Sequence, residues 1–381
     1  VKNQKTIMLL AGEASGDKRA AELVEALKRL SPETRFSFFG SGGDQMRREG
    51  VEVLADIRDT AIIGPVEIVR ALGKLRLIYS KLLQAARERR PDLVILVDWP
   101  EFNLRIVKDL KRLGLTTIYY ISPQLWAWRR YRVRIVRRYV DKMIVILPFE
   151  VEFYRQQGIA VEFVGHPLVD SVRATLDRTA FCRKHGLASD PPIVSLLPGS
   201  RRTEVVHILP VLVEAASRVS QRLNVQFVIP LAPTISLELA RSIIERARSV
   251  PVRVIQGDTY NALAHSELAV VTSGTATLEA ALLGTPLIVV YRARAVNYWL
   301  IRPLIHLDTF GMVNLIAGER VAPELIQRDF TPEKLSAAML ELLSDESKRT
   351  AMKEKLSEVC KRLGEGGAAE RAAEVVLAFL D

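Results

Sequence analysis

The chain has 381 residues, more than one ordinary hydrophobic core accommodates, so two domains are expected. Hydrophobic residues make up 49% and charged residues 26%, proportions of a globular protein rather than a disordered one. A net charge of +10 calls for a partner of negative charge: nucleic acid, a phosphorylated substrate or an anionic lipid surface.

Residues 6–11 read as a first strand. Gly12-Glu13-Ala14-Ser15-Gly16-Asp17 is a tight turn, and a helical pattern follows to about Leu30. Such a βα unit holds small residues at the strand's carboxyl edge, where open α/β sheets bind ligands. The G-x-G-x-x-G fingerprint of a dinucleotide site is absent. Residues 35–39 form a second strand, ending in Gly40-Ser41-Gly42-Gly43; this turn either approaches a ligand or only reverses the chain. Residues 61–79 are bulky and apolar, broken by Arg70, Lys74 and Arg76. That pattern fits an interfacial helix on an anionic membrane, or an ordinary amphipathic helix against the sheet.

Residues 92–97 make a strand that is apolar after its first residue, and Asp98 stands at its tip before Trp99-Pro100-Glu101-Phe102-Asn103. A carboxylate there is either a general base of raised pKa or a cap for the next helix. Residues 116–121 are the next strand. Trp126, Trp128 and a basic run to Arg138 follow it, as contacts for a sugar or phosphate, or as core aromatics with a solvated helix face. Strands at 142–147 and 161–164 complete the first series, and a linker is expected near 170–190.

A second βα series begins with a strand at 193–197. In Pro198-Gly199-Ser200-Arg201, glycine and serine let backbone approach a phosphate, and Arg201 offers a planar fork for it. Strands at 225–230 and 252–256 lead to one at 268–271. Ser273, Gly274 and Thr275 then open a helix that stops at Gly284 and Pro286. Unpaired N–H groups and the helix dipole make this end an anion site, and Glu279, on the same face as Thr275, suits the vicinal diol of a ribose. The alternative is a capped helix with a first-turn dipole partner. Residues 311–315 read as a loop facing a cleft, and two amphipathic helices split by Gly364-Glu365-Gly366-Gly367 close the chain. The only cysteines, Cys182 and Cys360, give no disulfide framework, so the cytosol is the default. The five histidines have no metal-ligand spacing.

Together the motifs resemble one family. Ala11 to Asp17, Val97-Asp98-Trp99-Pro100-Glu101-Phe102-Asn103, Ser122-Pro123 with Trp126-Ala127-Trp128-Arg129, Val164-Gly165-His166-Pro167, Leu197-Pro198-Gly199-Ser200-Arg201, Ser273 to Pro286 and Asn314-Leu315 recur in order. From about residue 6 to the C-terminal helices, the chain resembles the lipid-A-disaccharide synthase family. The resemblance implies an α/β protein of GT-B fold, two Rossmann-like doubly wound domains with a cleft between them. Expected boundaries are 1–172, 173–345 and 346–381, the last packing back on an N-terminal domain of the same or a partner subunit.

The implied reaction is an inverting transfer from UDP-2,3-diacylglucosamine to 2,3-diacylglucosamine 1-phosphate, giving a β-1,6-linked disaccharide phosphate and UDP. Carried onto this chain, Asp98 is the base and Arg201 stabilises the diphosphate. Gly12, Ser15, Gly199, Ser200, Gly257, Ser273, Gly274, Thr275, Ala276, Glu279 and Asn314 then line the UDP-sugar. Ile62, Ile63, Val66, Val69, Leu72 and Leu75 would meet membrane or acyl chains at the cytoplasmic face of the bacterial inner membrane. No Asp-x-Asp motif is present, and no metal or other cofactor is expected. A homodimer is expected. The family often has a small residue and Asp where this chain has Trp99 and Glu101, and a small residue at Leu125, which leaves acceptor contacts open. A UDP-N-acetylglucosamine 2-epimerase on the same fold would explain Glu279 and the helix ends but not residues 61–79. A nucleic-acid-binding protein would need one continuous basic face and a recognition motif, and neither is read here.

Overall fold

The computed structural model describes residues 4–59, 67–246, 252–292 and 309–380, and for residues 67–72 the backbone alone. Val1–Asp170 with Gly364–Asp381 forms one unit, and Ser171–Leu363 the other.

The first unit runs β1 Gln4–Leu10, α1 Ala14–Leu30, β2 Arg35–Gly42, α2 Asp44–Arg48, β3 Glu52–Asp56, α3 Glu67–Arg89, β4 Leu93–Val97, α4 Pro100–Arg112, β5 Thr117–Tyr120, α5 Val133–Tyr139, β6 Lys142–Val145, α6 Pro148–Arg155 and β7 Val161–Phe163. The strands form a parallel sheet in the order β3-β2-β1-β4-β5-β6-β7. Successive strand residues point to opposite faces, and helices cover both. Met8 and Leu10 therefore join one core with α3 to α6, while Ile7 and Leu9 join another with α1 and the helix Ala368–Leu377. β2 runs past the expected end at Phe39 because Gly40 lets the neighbouring strand close in. Its φ is +151°, and a Cβ there would lie 1.8 Å from the Leu9 carbonyl oxygen.

The second unit contains α8 Arg178–His185, β8 Ile193–Leu197, α9 Arg202–Ser220, β9 Gln226–Leu231, α10 Leu237–Arg246, β10 Val252–Gln256, α11 Thr259–Ala264, β11 Leu268–Thr272, α12 Ala276–Leu282, β12 Leu287–Tyr291 and β13 Glu324–Ile326. Its parallel sheet has the order β10-β9-β8-β11-β12-β13. In both sheets the order reverses at one point, between β1 and β4 and between β8 and β11. Crevices outside the carboxyl ends of such strand pairs are where doubly wound sheets bind ligands.

Four expectations need correction. The linker expected at 170–190 is built into the second unit: α8 lies there, and Asn261 Oδ1 accepts from Thr175 and Leu176 N–H at 2.8 and 2.9 Å. The joint is instead at Asp170–Ser171, inside α7 Leu168–Ser171. The C-terminal segment 346–381 is divided, with Glu346–Arg362 in the second unit and Ala368–Leu377 packed on α1 of the first. The loop expected at 311–315 is mostly a helix, Met312–Ala317. Finally, Leu75 packs half-buried against the core, and among the described side chains of α3 the large apolar one presented to solvent is Leu77, 72% exposed. Ile62, Ile63 and Val66 lie outside the described residues, and Val69 and Leu72 fall where only backbone is described. No described helix is long and apolar enough to cross a membrane.

Candidate active site

In the first unit, Gly12 to Ser15 follow β1 and Asp98 follows β4, so both stand at the point where strand order reverses. Asp98 and Trp99 are both left-handed, with φ of 47° and 49°. For residues with a Cβ this conformation costs about 1–2 kcal/mol each, so the packing around the turn must hold it. Trp99 stacks on Phe102 with ring centroids 4.0 Å apart. Gly12 lies buried beneath the same indole, and a Cβ there would come within 2.0 Å of it. Gly12 thus makes room for the indole, and Ser15 is exposed in the first turn of α1.

The Asp98 carboxyl is pushed up to about 6, first by burial and then by the neighbouring Glu13 carboxylate; a hydrogen bond from the Trp99 N–H works the other way. A base of this kind is ionised above about 6, so activity that depends on it should fall as pH drops through that value. A pH–rate profile whose acid limb lies near the ordinary aspartate value of about 4 would contradict this. Asp17 is not available as a base. It is buried and accepts from the N–H groups of Gly43, Gln45 and Met46 at 2.6, 3.1 and 3.2 Å, which fixes the start of α2.

In the second unit, Gly199 to Arg201 follow β8, and Ser273 to Ala276 follow β11. The two strand ends are tied by the Thr272 hydroxyl, which donates to the Leu197 carbonyl at 2.8 Å. Two expectations are modified here. The Ser200 and Arg201 N–H groups already donate to Glu204 Oε2, at 3.1 and 3.2 Å, so a side-chain carboxylate occupies that helix end. Arg201 itself is 79% exposed and pairs with Glu204 Oε1 at 3.1 Å. Gly199, at φ +105°, makes room for the same carboxylate, since a Cβ there would come within 2.5 Å of Glu204 Oε2. Ser273 has both donors engaged, its N–H with Val290 O at 2.8 Å and its hydroxyl with Phe310 O at 2.6 Å. The N–H groups of Gly274, Thr275 and Ala276 have no acceptor among the described residues, and nothing stands within 4 Å of where a Gly274 Cβ would be.

Glu279, one turn into α12, is mostly buried. Burial raises its carboxyl, and a hydrogen bond from the Tyr260 hydroxyl opposes that. Gly257 is exposed at the carboxyl end of β10, with φ +74° and nothing within 4 Å of where a Cβ would stand. Asn314 is a correction. Its amide is buried and fully engaged, donating to Ala322 O and Glu324 Oε1 at 2.9 and 2.8 Å and accepting from Val321 and Ala322 N–H at 2.8 and 2.9 Å. It holds the loop before β13 rather than presenting its amide to a sugar. Among the described residues, no group of three or more His, Cys, Asp or Glu could hold a metal ion.

The sequence matches the family model described as Lipid-A-disaccharide synthetase over residues 7–379. The chain belongs to the lipid-A-disaccharide synthase family. It is therefore an enzyme, a glycosyltransferase. The lipid-A-disaccharide synthase of Syntrophus aciditrophicus is 45% identical, with 99% of this chain and 98% of that protein covered. That of Myxococcus xanthus is also 45% identical at the same coverages. Among solved structures, a UDP-GlcNAc 2-epimerase from Neisseria meningitidis bound to UDP-GlcNAc superposes with TM-score 0.66 at 12% identity, covering 98% of this chain and 100% of that one. Acinetobacter baumannii MurG superposes with TM-score 0.60 at 14% identity, covering 99% of each. These likenesses establish the GT-B fold alone.

In this lipid-A-disaccharide synthase family member, the structure gives tasks to residues that the motifs did not assign. Glu204 was visible as the acidic residue three positions into α9, the mark of a capping box. Tyr260 had no local signal, because it reaches Glu279 from α11. Tyr119 likewise had no local signal, while Asn103 stood in the motif after Asp98 without a role; both donate to the Asp98 carbonyl. Trp126 is a core residue rather than a sugar contact: its Nε1 donates to Glu150 at 3.0 Å, and burial lifts that carboxyl to about 7.

Proposed function

We propose that this chain transfers 2,3-diacylglucosamine from its UDP-activated form to the 6-hydroxyl of 2,3-diacylglucosamine 1-phosphate, releasing UDP. The displacement inverts the donor's anomeric centre. Asp98 accepts the acceptor's hydroxyl proton as oxygen attacks. Arg201, with the N–H groups of Gly274, Thr275 and Ala276, takes up the charge that develops on the departing diphosphate. Glu279 accepts hydrogen bonds from the ribose hydroxyls while Tyr260 steadies it. The observation that carries this reading is Asp98: a mostly buried carboxyl of raised proton affinity at the strand-order reversal of the first unit. No step calls for a metal, in keeping with a chain that has no Asp-x-Asp motif. Product analysis tests the reading directly. The reaction should give a β-1,6-linked disaccharide phosphate at an undiminished rate in EDTA; a 2-epimerised sugar, or collapse of the rate on chelation, would overturn it.

The acyl chains of both substrates bring the reaction to a membrane surface, and the charge distribution supports that. Helices α3 to α6, with the short turn Arg130–Arg132, cover one face of the first sheet. They carry sixteen Lys and Arg against six Asp and Glu, an excess of ten. This equals the net charge of the whole chain. On the opposite face, α1, α2 and Ala368–Leu377 together carry an excess of only one. The exposed Leu77 and Tyr131 both lie on the basic layer. Each Lys or Arg near an anionic leaflet contributes about 1 kcal/mol. Replacing exposed Arg134, Arg137 and Arg138 with serine should therefore weaken binding to phosphatidylglycerol vesicles by roughly a hundredfold at low salt. Unchanged cosedimentation would remove this layer as the membrane-facing one.

A further inference from the structure

The turn that carries Asp98 is held from below. The Asp98 carbonyl accepts two hydrogen bonds, one from the Tyr119 hydroxyl at 2.6 Å and one from Asn103 Nδ2 at 2.8 Å. Tyr119 comes from the adjacent strand β5 and Asn103 from the first turn of α4, so the donors converge from separate elements. Both side chains are fully buried. The Asn103 amide nitrogen also faces the carbonyls of Leu10, at 3.2 Å, and Val97, at 3.4 Å. Three converging carbonyls fix which end of the amide is which, and Asn103 Oδ1 is left without a hydrogen-bond partner. An unpaired buried acceptor and two consecutive left-handed residues are both unfavourable, and they coincide at this turn.

We propose that Tyr119 and Asn103 are positioning residues: a two-donor clamp on the Asp98 carbonyl that holds the left-handed turn and so aims the Asp98 carboxylate at its substrate. The peptide unit is planar, with its C=O and N–H on opposite sides. Fixing the Asp98 carbonyl downward therefore directs the Trp99 N–H upward, to the side of the Asp98 carboxylate, whose proton affinity that N–H lowers. Neither clamp residue touches substrate in this scheme; both act through the main chain. The titratable groups facing Asp98 are Glu13, ahead of α1, and Tyr119 on β5; Tyr154 on α6 and Arg132 act in turn on Tyr119. The inference rests on the reading of Asp98 as the base.

The test is Tyr119→Phe, which deletes one buried hydroxyl and nearly conserves volume, assayed as UDP release against pH. The plateau of kcat should fall about tenfold, the worth of one buried hydrogen bond, with KM unchanged. The acid limb should move up by about one pH unit, because the carboxylate loses the Trp99 N–H that favours its ionised form. Asn103→Ala should show the same pair of changes, with thermal melting confirming that each variant is folded. In an Asp98→Asn background, Tyr119→Phe should add nothing further, since the clamp has no base left to aim. Wild-type kcat and an unmoved acid limb in folded Tyr119→Phe, with Asp98→Asn inactive, would overturn the clamp and leave the base in place. The clamp is equally overturned if both variants only lower the melting temperature. Full activity in Asp98→Asn would instead overturn the base and the clamp together.

Discussion

Asp98→Asn is expected to lower kcat by about 100- to 10,000-fold, the usual worth of a positioned general base, and to leave KM nearly unchanged. Asparagine keeps the side chain's shape and its fit beside Trp99, but it cannot take the acceptor's proton. The folded protein should tolerate the change. A mostly buried carboxylate facing Glu13 is an unfavourable charge to ionise, which is why its proton affinity is raised. The melting temperature of Asp98→Asn should therefore not fall below that of the wild type. Activity retained in this variant would turn attention to Glu13, which is exposed at the same strand-order reversal. Asp17 would remain excluded, because its carboxylate is committed to three backbone N–H groups.

Arg201→Ala should have the second largest effect, a loss of about 100- to 1,000-fold in kcat, comparable to removing a charge-stabilising donor from other active sites. One helix end contributes only roughly 0.3–2 kcal/mol toward a bound anion. At α9 that contribution is further reduced, because Glu204 occupies the amides of Ser200 and Arg201. The guanidinium therefore carries much of the stabilisation of the departing diphosphate. It is well placed for movement, being 79% exposed with Glu204 as its charged partner. Arg201→Lys should recover only part of the loss, since an ammonium lacks the planar fork that matches two phosphate oxygens. Steady-state kinetics with saturating acceptor distinguish the roles. A raised KM with unchanged kcat would show that Arg201 binds donor and transition state equally.

The sequence carried the architecture well because its signals are local. Apolar runs bounded by glycine-rich turns reveal buried parallel strands such as Leu93–Val97 and Leu268–Thr272, which are wholly buried. The residues just beyond those strands are then legible as site candidates, and Asp98 and Ser273 to Thr275 do stand at the two strand-order reversals. What the sequence hid was who bonds to whom. Asn314 looks like a polar group offered from a loop, yet Glu324 and the backbone at 321–322 engage every one of its hydrogen-bonding sites. Ser200 looks like an open phosphate cradle until Glu204 folds back over it. Tyr119 reads as one more apolar strand residue, and only the neighbouring strand's left-handed turn gives its hydroxyl a task. The division of the C-terminal helices was hidden for a related reason. Both are amphipathic, but Arg371 and Gly367 bond to Val164 and Asp170 of the first unit, while Arg362 caps the Met312–Ala317 helix of the second. Long-range partners of this kind leave no periodic trace.

The measurement that tests the central claim most directly is UDP release from UDP-2,3-diacylglucosamine by the wild-type protein, with and without 2,3-diacylglucosamine 1-phosphate. The account predicts release only when the acceptor is present, in step with disaccharide formation, because the attacking oxygen belongs to the acceptor and Asp98 acts on its proton. Release at the same rate without acceptor would contradict it and make water, or the donor itself, the reacting partner.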